Sequence, residues 1–153
     1  MKIAEVRRKI ENCVYNLYLY DCDLLERGNH ELTISLKLAQ YLFCEFKEFD
    51  VDCEYNKHID NAKYSEELMH NVRPDIVIHK RGFDYKNTVY MEIKTSQNSE
   101  NREYDLRKVF AMTKNDGDFK YKLGVFIDFT KKKKDCIIKY FKDGGEIEGC
   151  VLQ

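Results

Sequence analysis

Two short apolar runs joined by a polar connection constrain this chain more than any other feature. Ile76-Val77-Ile78 and Val89-Tyr90-Met91-Glu92-Ile93 are rich in β-branched and aromatic residues and read as strands. Between them lies Arg81-Gly82-Phe83-Asp84-Tyr85-Lys86-Asn87, polar and containing Gly and Asn, which is hairpin material. Side chains alternate faces along a strand, so Glu92 and Lys94 share one face while Met91 and Ile93 turn to the other. Asp75 opens the first run, where an antiparallel partner brings it near Glu92. Pro74 stands at the strand's first position, where a missing N–H costs least.

The residue types carry the chemistry. Two carboxylates and an amine facing a common point hold a hard divalent cation and activate a water. Mg²⁺ takes oxygen ligands and usually only one or two protein carboxylates, the rest being water and phosphate oxygens. Asp75 and Glu92 supply those two, and the backbone carbonyl of Ile93 is a further expected ligand. Lys94 is expected to place positive charge beside the nucleophilic water or the developing charge on phosphorus. A bland reading stands beside this one. Charged residues are 35% of the chain, and a Glu-X-Lys on a half-exposed strand is often a solvated face or a cross-strand ion pair. Both carboxylates fall in segments expected to be largely buried. Unpaired buried carboxylates are costly, which favours a metal or a partner such as Lys94.

Pro74-Asp75 followed by Glu92-Ile93-Lys94 on the next strand resembles the PD-(D/E)XK nuclease superfamily, the fold of many restriction endonucleases and Holliday-junction resolvases. The resemblance covers the chain from about Glu31 to about Phe129. It implies an α/β fold with a restriction-endonuclease-like core: helix, three strands, helix, strand, in a mixed sheet flanked by helices. It further implies cleavage of nucleic acid, most readily DNA, dependent on Mg²⁺ or Mn²⁺, with Asp75, Glu92 and Lys94 in the active site. Many members carry a Glu on the first core helix, and Glu31 is the matching candidate. A carboxylate in a helix's first turn is also favourable with the helix dipole, without any function.

The flanking sequence accommodates this as a single domain over residues 1–153, with the core at about 30–130. Ile3, Val6, Ile10, Cys13, Val14 and Leu17 follow helical spacing and predict an extra N-terminal helix, packed on the core or mediating dimerisation. A second helix is expected from about His30 to Phe46, with Leu32, Leu36, Ala39, Phe43 and Phe46 as its buried stripe, widened by Leu38 and Leu42. A strand follows at Val51–Tyr55. Residues 56–70 read as a loop with a short helix at about Ser65 to Met69. After the motif, residues 95–101 form a polar loop whose hydroxyls and amides either contact phosphates or cap the next helix. That helix spans Tyr104 to Met112, with Asp105 and Lys108 as an i,i+3 pair. The last core strand, Tyr121–Phe129, is nearly continuous in apolar character and so central. Cys136–Phe141 adds a C-terminal hairpin strand, and Lys131–Lys134 is its tip. Those lysines either grip phosphates or form a solvated turn that deters edge pairing.

Composition sets the remaining bounds. The chain has 153 residues and a formal net charge of −1, which does not fit a simple basic nucleic-acid binder. Acidic residues outnumber basic ones over the first 60 positions, and the reverse holds in the half with the motif. No apolar run is long enough to span a membrane, and the start lacks the apolar core of a signal peptide. A cytoplasmic protein is expected, with its six cysteines as reduced thiols. Cys13 and Cys44 fall on helix faces and read as small core residues. No CxxC pair indicates structural zinc, and no P-loop or GxSxG motif indicates ATP hydrolysis or a serine nucleophile. His30, His58, His70 and His79 read as packing or surface residues. A homodimer or a targeting protein partner is expected, since the length leaves no room for a separate recognition domain. The alternative is a catalytically silent module of the same fold that binds nucleic acid or a protein.

Overall fold

The computed structural model describes residues 1–58, 61–96, 98 and 101–151. Three helices come first: α1 (Ile3–Tyr20), α2 (Cys22–Glu26) and α3 (Glu31–Glu45). Then come β1 (Asp50–Cys53), two small ladders made of β2 (Lys57–His58) with β3 (Asn61–Ala62) and β4 (Tyr64–Ser65) with β5 (His70–Asn71), and the hairpin β6 (Ile76–His79) and β7 (Val89–Thr95). The chain continues through α4 (Arg102–Thr113), β8 (Leu123–Phe129), β9 (Ile137–Lys142) and β10 (Gly145–Val151). One six-stranded sheet has the order β1-β6-β7-β8-β9-β10. Only β7 and β8 run parallel, because α4 carries the chain back across the sheet between them. The result is an α/β protein with a mixed sheet flanked by helices.

Strand alternation divides the sheet into two faces. Ile76, Ile78, Met91, Ile93, Val125 and Ile127 join one apolar cluster with α1 and α3. Val77, Tyr90 and Phe126 join the other, under α4, with Val109 and Met112. The N-terminal helix packs on the core through Val6, Ile10, Val14 and Leu17. Gly124 lets α4 lie close: a Cβ there would stand 2.5 Å from Val109 Cγ1 and 2.8 Å from Thr113 Cγ2.

Several expectations need correction. Helix α3 has the expected span, but it buries Ile34, Ser35, Leu38 and Leu42. Leu32, Leu36 and Phe43 are exposed, Phe43 at 64%; of the expected face Leu38, Leu42 and Phe46 are fully buried and Ala39 partly so. The helix is apolar on adjoining faces, and docking against α1, β1 and β7 selects between them. Cys13 is buried as expected, whereas Cys44 is exposed. No helix forms at residues 65–69; a turn there closes the β4–β5 ladder. The C-terminal addition is two strands, since β10 pairs with β9 and forms the sheet edge. Lys131–Lys134 do occupy the β8–β9 connection, with a 3-10 turn at Lys133–Asp135 and the Lys133 ammonium over the Tyr15 ring. No helix among the described residues is long and apolar enough to cross a membrane.

Candidate active site

Strand β7 positions most of the site. Ile76 pairs with Met91, so the register extended by one residue sets Asp75 opposite Glu92. Both carboxylates lie on the face that meets α4. Asp75 Oδ2 accepts a hydrogen bond from the Ile93 N–H at 2.6 Å, which ties the start of β6 to the middle of β7. Glu92 is fully enclosed. Its Oε1 accepts from the Tyr90 hydroxyl at 2.5 Å, and its Oε2 meets Lys108 Nζ at 2.7 Å.

Burial is the main electrostatic force here. It pushes the Asp75 carboxyl up to about 6, against the Ile93 N–H and the Lys108 ammonium, while Asp105 and Glu31 push the same way as burial. Glu92 is pushed up to about 8 by burial and then by Asp75, with Lys108 and Tyr90 opposing. Burial alone would lower the pKa of Lys108; Glu92 and Asp105 outweigh it and raise it. Tyr90 is held well above the usual phenol range by burial and by Glu92. Two neighbouring acids that both resist ionisation are only partly compensated by Lys108, and such coupled, buried pairs mark functional sites more often than plain surfaces do.

Lys94 shares the face of Glu92, as alternation predicts, but its ammonium points along the strand. It stands 3.2 Å from Asp105 Oδ2 and 3.4 Å from Glu31 Oε2. Glu31 begins α3, capped by His30, whose Nδ1 accepts from the Leu32 N–H at 3.4 Å. The Glu31 carboxylate reaches across to the end of β7, accepting from Thr95 N at 3.1 Å and Asn98 Nδ2 at 3.0 Å. The fold therefore gathers all four expected residues, Asp75, Glu92, Lys94 and Glu31, around β7.

Sequence reasoning missed two members of this cluster. Asp105 and Lys108 do pair, at 2.7 Å, but Asp105 also holds Lys94, and Lys108 also holds Glu92. The signal was present in the spacing: Asp105, Lys108, Val109 and Met112 recur at helical intervals, so they share one face of α4. Arg102, at the start of α4, braces the loop before it. It donates to Asp128 Oδ2 at 2.9 Å, to the Asn98 carbonyl at 2.6 Å and to the Thr95 carbonyl at 3.1 Å. Gln97, Ser99 and Glu100 of the polar loop lie outside the described residues.

His79 and His70 make their contacts elsewhere. His79 is buried against Asp52 at 2.9 Å and meets the Tyr55 ring edge-on. Arg81 also grips Asp52. His70 contacts the Tyr104 hydroxyl, and the His58 side chain lies outside the described residues. An apolar groove lined by Leu68, Leu106, Phe110 and Phe141 runs beside α4, and none of the site carboxylates lines it.

Among the described residues no three Asp, Glu, His or Cys side chains converge on one point. Two carboxylates are nevertheless what Mg²⁺ typically takes from a protein, and strand pairing sets these two on one face of the sheet. Asp75 and Glu92 are thus the residue types the metal takes, while the Glu92 oxygens are held by Tyr90 and Lys108. No known protein family and no curated protein matches the chain.

Proposed function

We propose that the chain is a divalent-metal-dependent nuclease that hydrolyses phosphodiester bonds, with DNA as its foremost substrate. The observation that carries this reading is the pairing of Asp75 with Glu92 across β6 and β7, both pushed upward by burial, with Lys94 and Glu31 at the same strand. The order α3, β1, β6, β7, α4, β8 also agrees with the helix, three strands, helix and strand of a restriction-endonuclease-like core.

In this reading Asp75, Glu92 and the Ile93 carbonyl would hold Mg²⁺ or Mn²⁺. Such a metal, when bound, polarises a scissile phosphate and lowers the pKa of a bound water. The chain's own part is positional. Ile93 N–H orients Asp75, Tyr90 orients Glu92, and Asp105 with Glu31 keeps the Lys94 ammonium at the edge of the cluster. Lys94 supplies fixed positive charge where negative charge develops on the phosphate. A homodimer or a targeting partner would complete recognition, in a cytoplasmic setting that suits the free cysteines.

A second reading, the silent binding module, draws on Lys108. Its ammonium already neutralises Glu92 and Asp105, as in a purely structural ion network. Incubation with supercoiled, linear and single-stranded DNA and with RNA, in Mg²⁺, Mn²⁺ or EDTA, separates the two. Metal-dependent cleavage abolished by Asp75→Asn and strongly lowered by Lys94→Ala is the expected result. Absence of cleavage under every condition would favour the silent module.

A further inference from the structure

We infer that Lys108 is a built-in counter-ion that competes with the divalent metal for the Glu92 carboxylate, so that metal binding is gated by withdrawal of this side chain. The inference rests on the nuclease reading and adds its regulation.

The geometry carries it. Lys108 Nζ lies 2.7 Å from Glu92 Oε2 and 2.7 Å from Asp105 Oδ1. The other Glu92 oxygen is taken by the Tyr90 hydroxyl. Both Glu92 oxygens are therefore already engaged while Lys108 stays in place. An ammonium and a metal ion satisfy the same need of a buried acid pair, and two cations crowded on one carboxylate repel each other, so each weakens the hold of the other.

Lys108 also has somewhere to go. Its ammonium is 5.4 Å from the centre of the Tyr104 ring, one turn back on α4, and Tyr104 is partly exposed. A rotation of the lysine chain further over that ring gives up the Glu92 contact for water while keeping the cation–π contact it already has. Asp105 is the pivot. It holds Lys108 through one oxygen and Lys94 through the other, so Lys94 keeps an anchor when Lys108 leaves Glu92. The two lysines thus divide the work: Lys94 stays at the site, and Lys108 yields to the incoming ion.

The sign of the effect separates this from a structural role. Removal of a merely structural lysine loosens the site and weakens metal binding. Removal of a competitor strengthens it. Calorimetric titration of Mg²⁺ and Mn²⁺ into wild type, Lys108→Met, Lys108→Gln and Lys108→Arg is the test, with Asp75→Asn introduced in each background as the control. The expected result is metal affinity at least tenfold tighter in Lys108→Met and Lys108→Gln. Lys108→Arg should stay near wild type, and Asp75→Asn should abolish binding in all. Wild-type binding lost in Asp75→Asn, but unchanged or weaker in both neutral variants, would overturn the gate and leave the nuclease reading standing. Absence of metal binding from wild type and from every Lys108 variant would overturn both. Should Lys108→Met fail to fold, Lys108→Gln, which keeps a polar donor toward Glu92, decides the matter.

Discussion

On the face of β7 that meets α1 and α3, Met91 and Ile93 are fully buried among aliphatic side chains. On the opposite face of the same strand, Glu92 and Lys94 are almost as deeply buried, yet among charges. The first face stabilises the fold by apolar burial, at about 1.5–3 kcal/mol per large side chain. The second spends part of that stability, because two acids are held where neither ionises readily. The cost becomes intelligible if the charged face binds a cation and a phosphate.

The contrast breaks most sharply in function. Lys94→Ala should lower metal-dependent cleavage on the order of 10²- to 10³-fold, as loss of one fixed electrostatic group does. Its circular dichroism spectrum should match wild type; an unchanged turnover rate would remove Lys94 from the site. On the apolar face the largest effect falls on stability. Ile127→Ala, at a fully buried position, should destabilise by about 2–5 kcal/mol in urea unfolding, and the folded fraction should cleave as wild type does.

Gly124→Ala probes the seam between α4 and the sheet. The added methyl would collide with Val109 and Thr113, and overpacking of this kind costs about 1–3 kcal/mol. Because the same helix carries Asp105 and Lys108, activity should fall together with stability. A thermal melt and a cleavage assay on one preparation check both.

The charged face also predicts a pH dependence. Glu92 is raised to about 8, so in the folded state it keeps its proton where the unfolded chain has lost it. The folded protein then binds more protons than the unfolded one, and stability falls as pH rises toward 8. His79 and Asp52 are both lowered and act in the opposite sense, but only below their ordinary values. The clean window is therefore about pH 6.5 to 8, where metal-free wild type should lose up to about 2 kcal/mol. Glu92→Gln should flatten that slope, and an unaltered slope in urea titrations would refute the assignment. The smallest effect is expected outside both faces: Leu36→Lys and Phe43→Lys, on the exposed side of α3, should change stability by less than about 0.5 kcal/mol.

That last pair shows where the sequence was legible and where it was not. Period-two alternation in Val89–Lys94 assigned Glu92 and Lys94 to one face, because a strand has only two. Helix α3 offered several apolar arcs, and only docking decided that Ile34 joins Leu38 and Leu42 inside while Leu32, Leu36 and Phe43 stay outside. Asp75 was legible because a hairpin brings nearby chain segments together. The reach of Glu31 to Thr95, 64 residues away, is a product of tertiary packing. Asp105 and Lys108 read correctly as a pair, yet local spacing could not reveal that α4 folds back over β7. The C-terminal strand β10 lacks a strong apolar signal, since Gly145-Glu146-Ile147-Glu148-Gly149 is edge-strand material whose pairing with β9 supplies the order.

The most direct measurement is the melting temperature of wild type and Asp75→Asn, each in EDTA and in Mn²⁺. A ligand that binds only the folded state raises its stability. The account predicts that Mn²⁺ raises the wild-type value and leaves Asp75→Asn unchanged. In EDTA, Asp75→Asn should melt no lower than wild type, because the amide oxygen still accepts from Ile93 N–H and one buried charge is gone. A wild type indifferent to Mn²⁺, together with a variant that melts lower in EDTA, would contradict it: Asp75 would then be a structural acid.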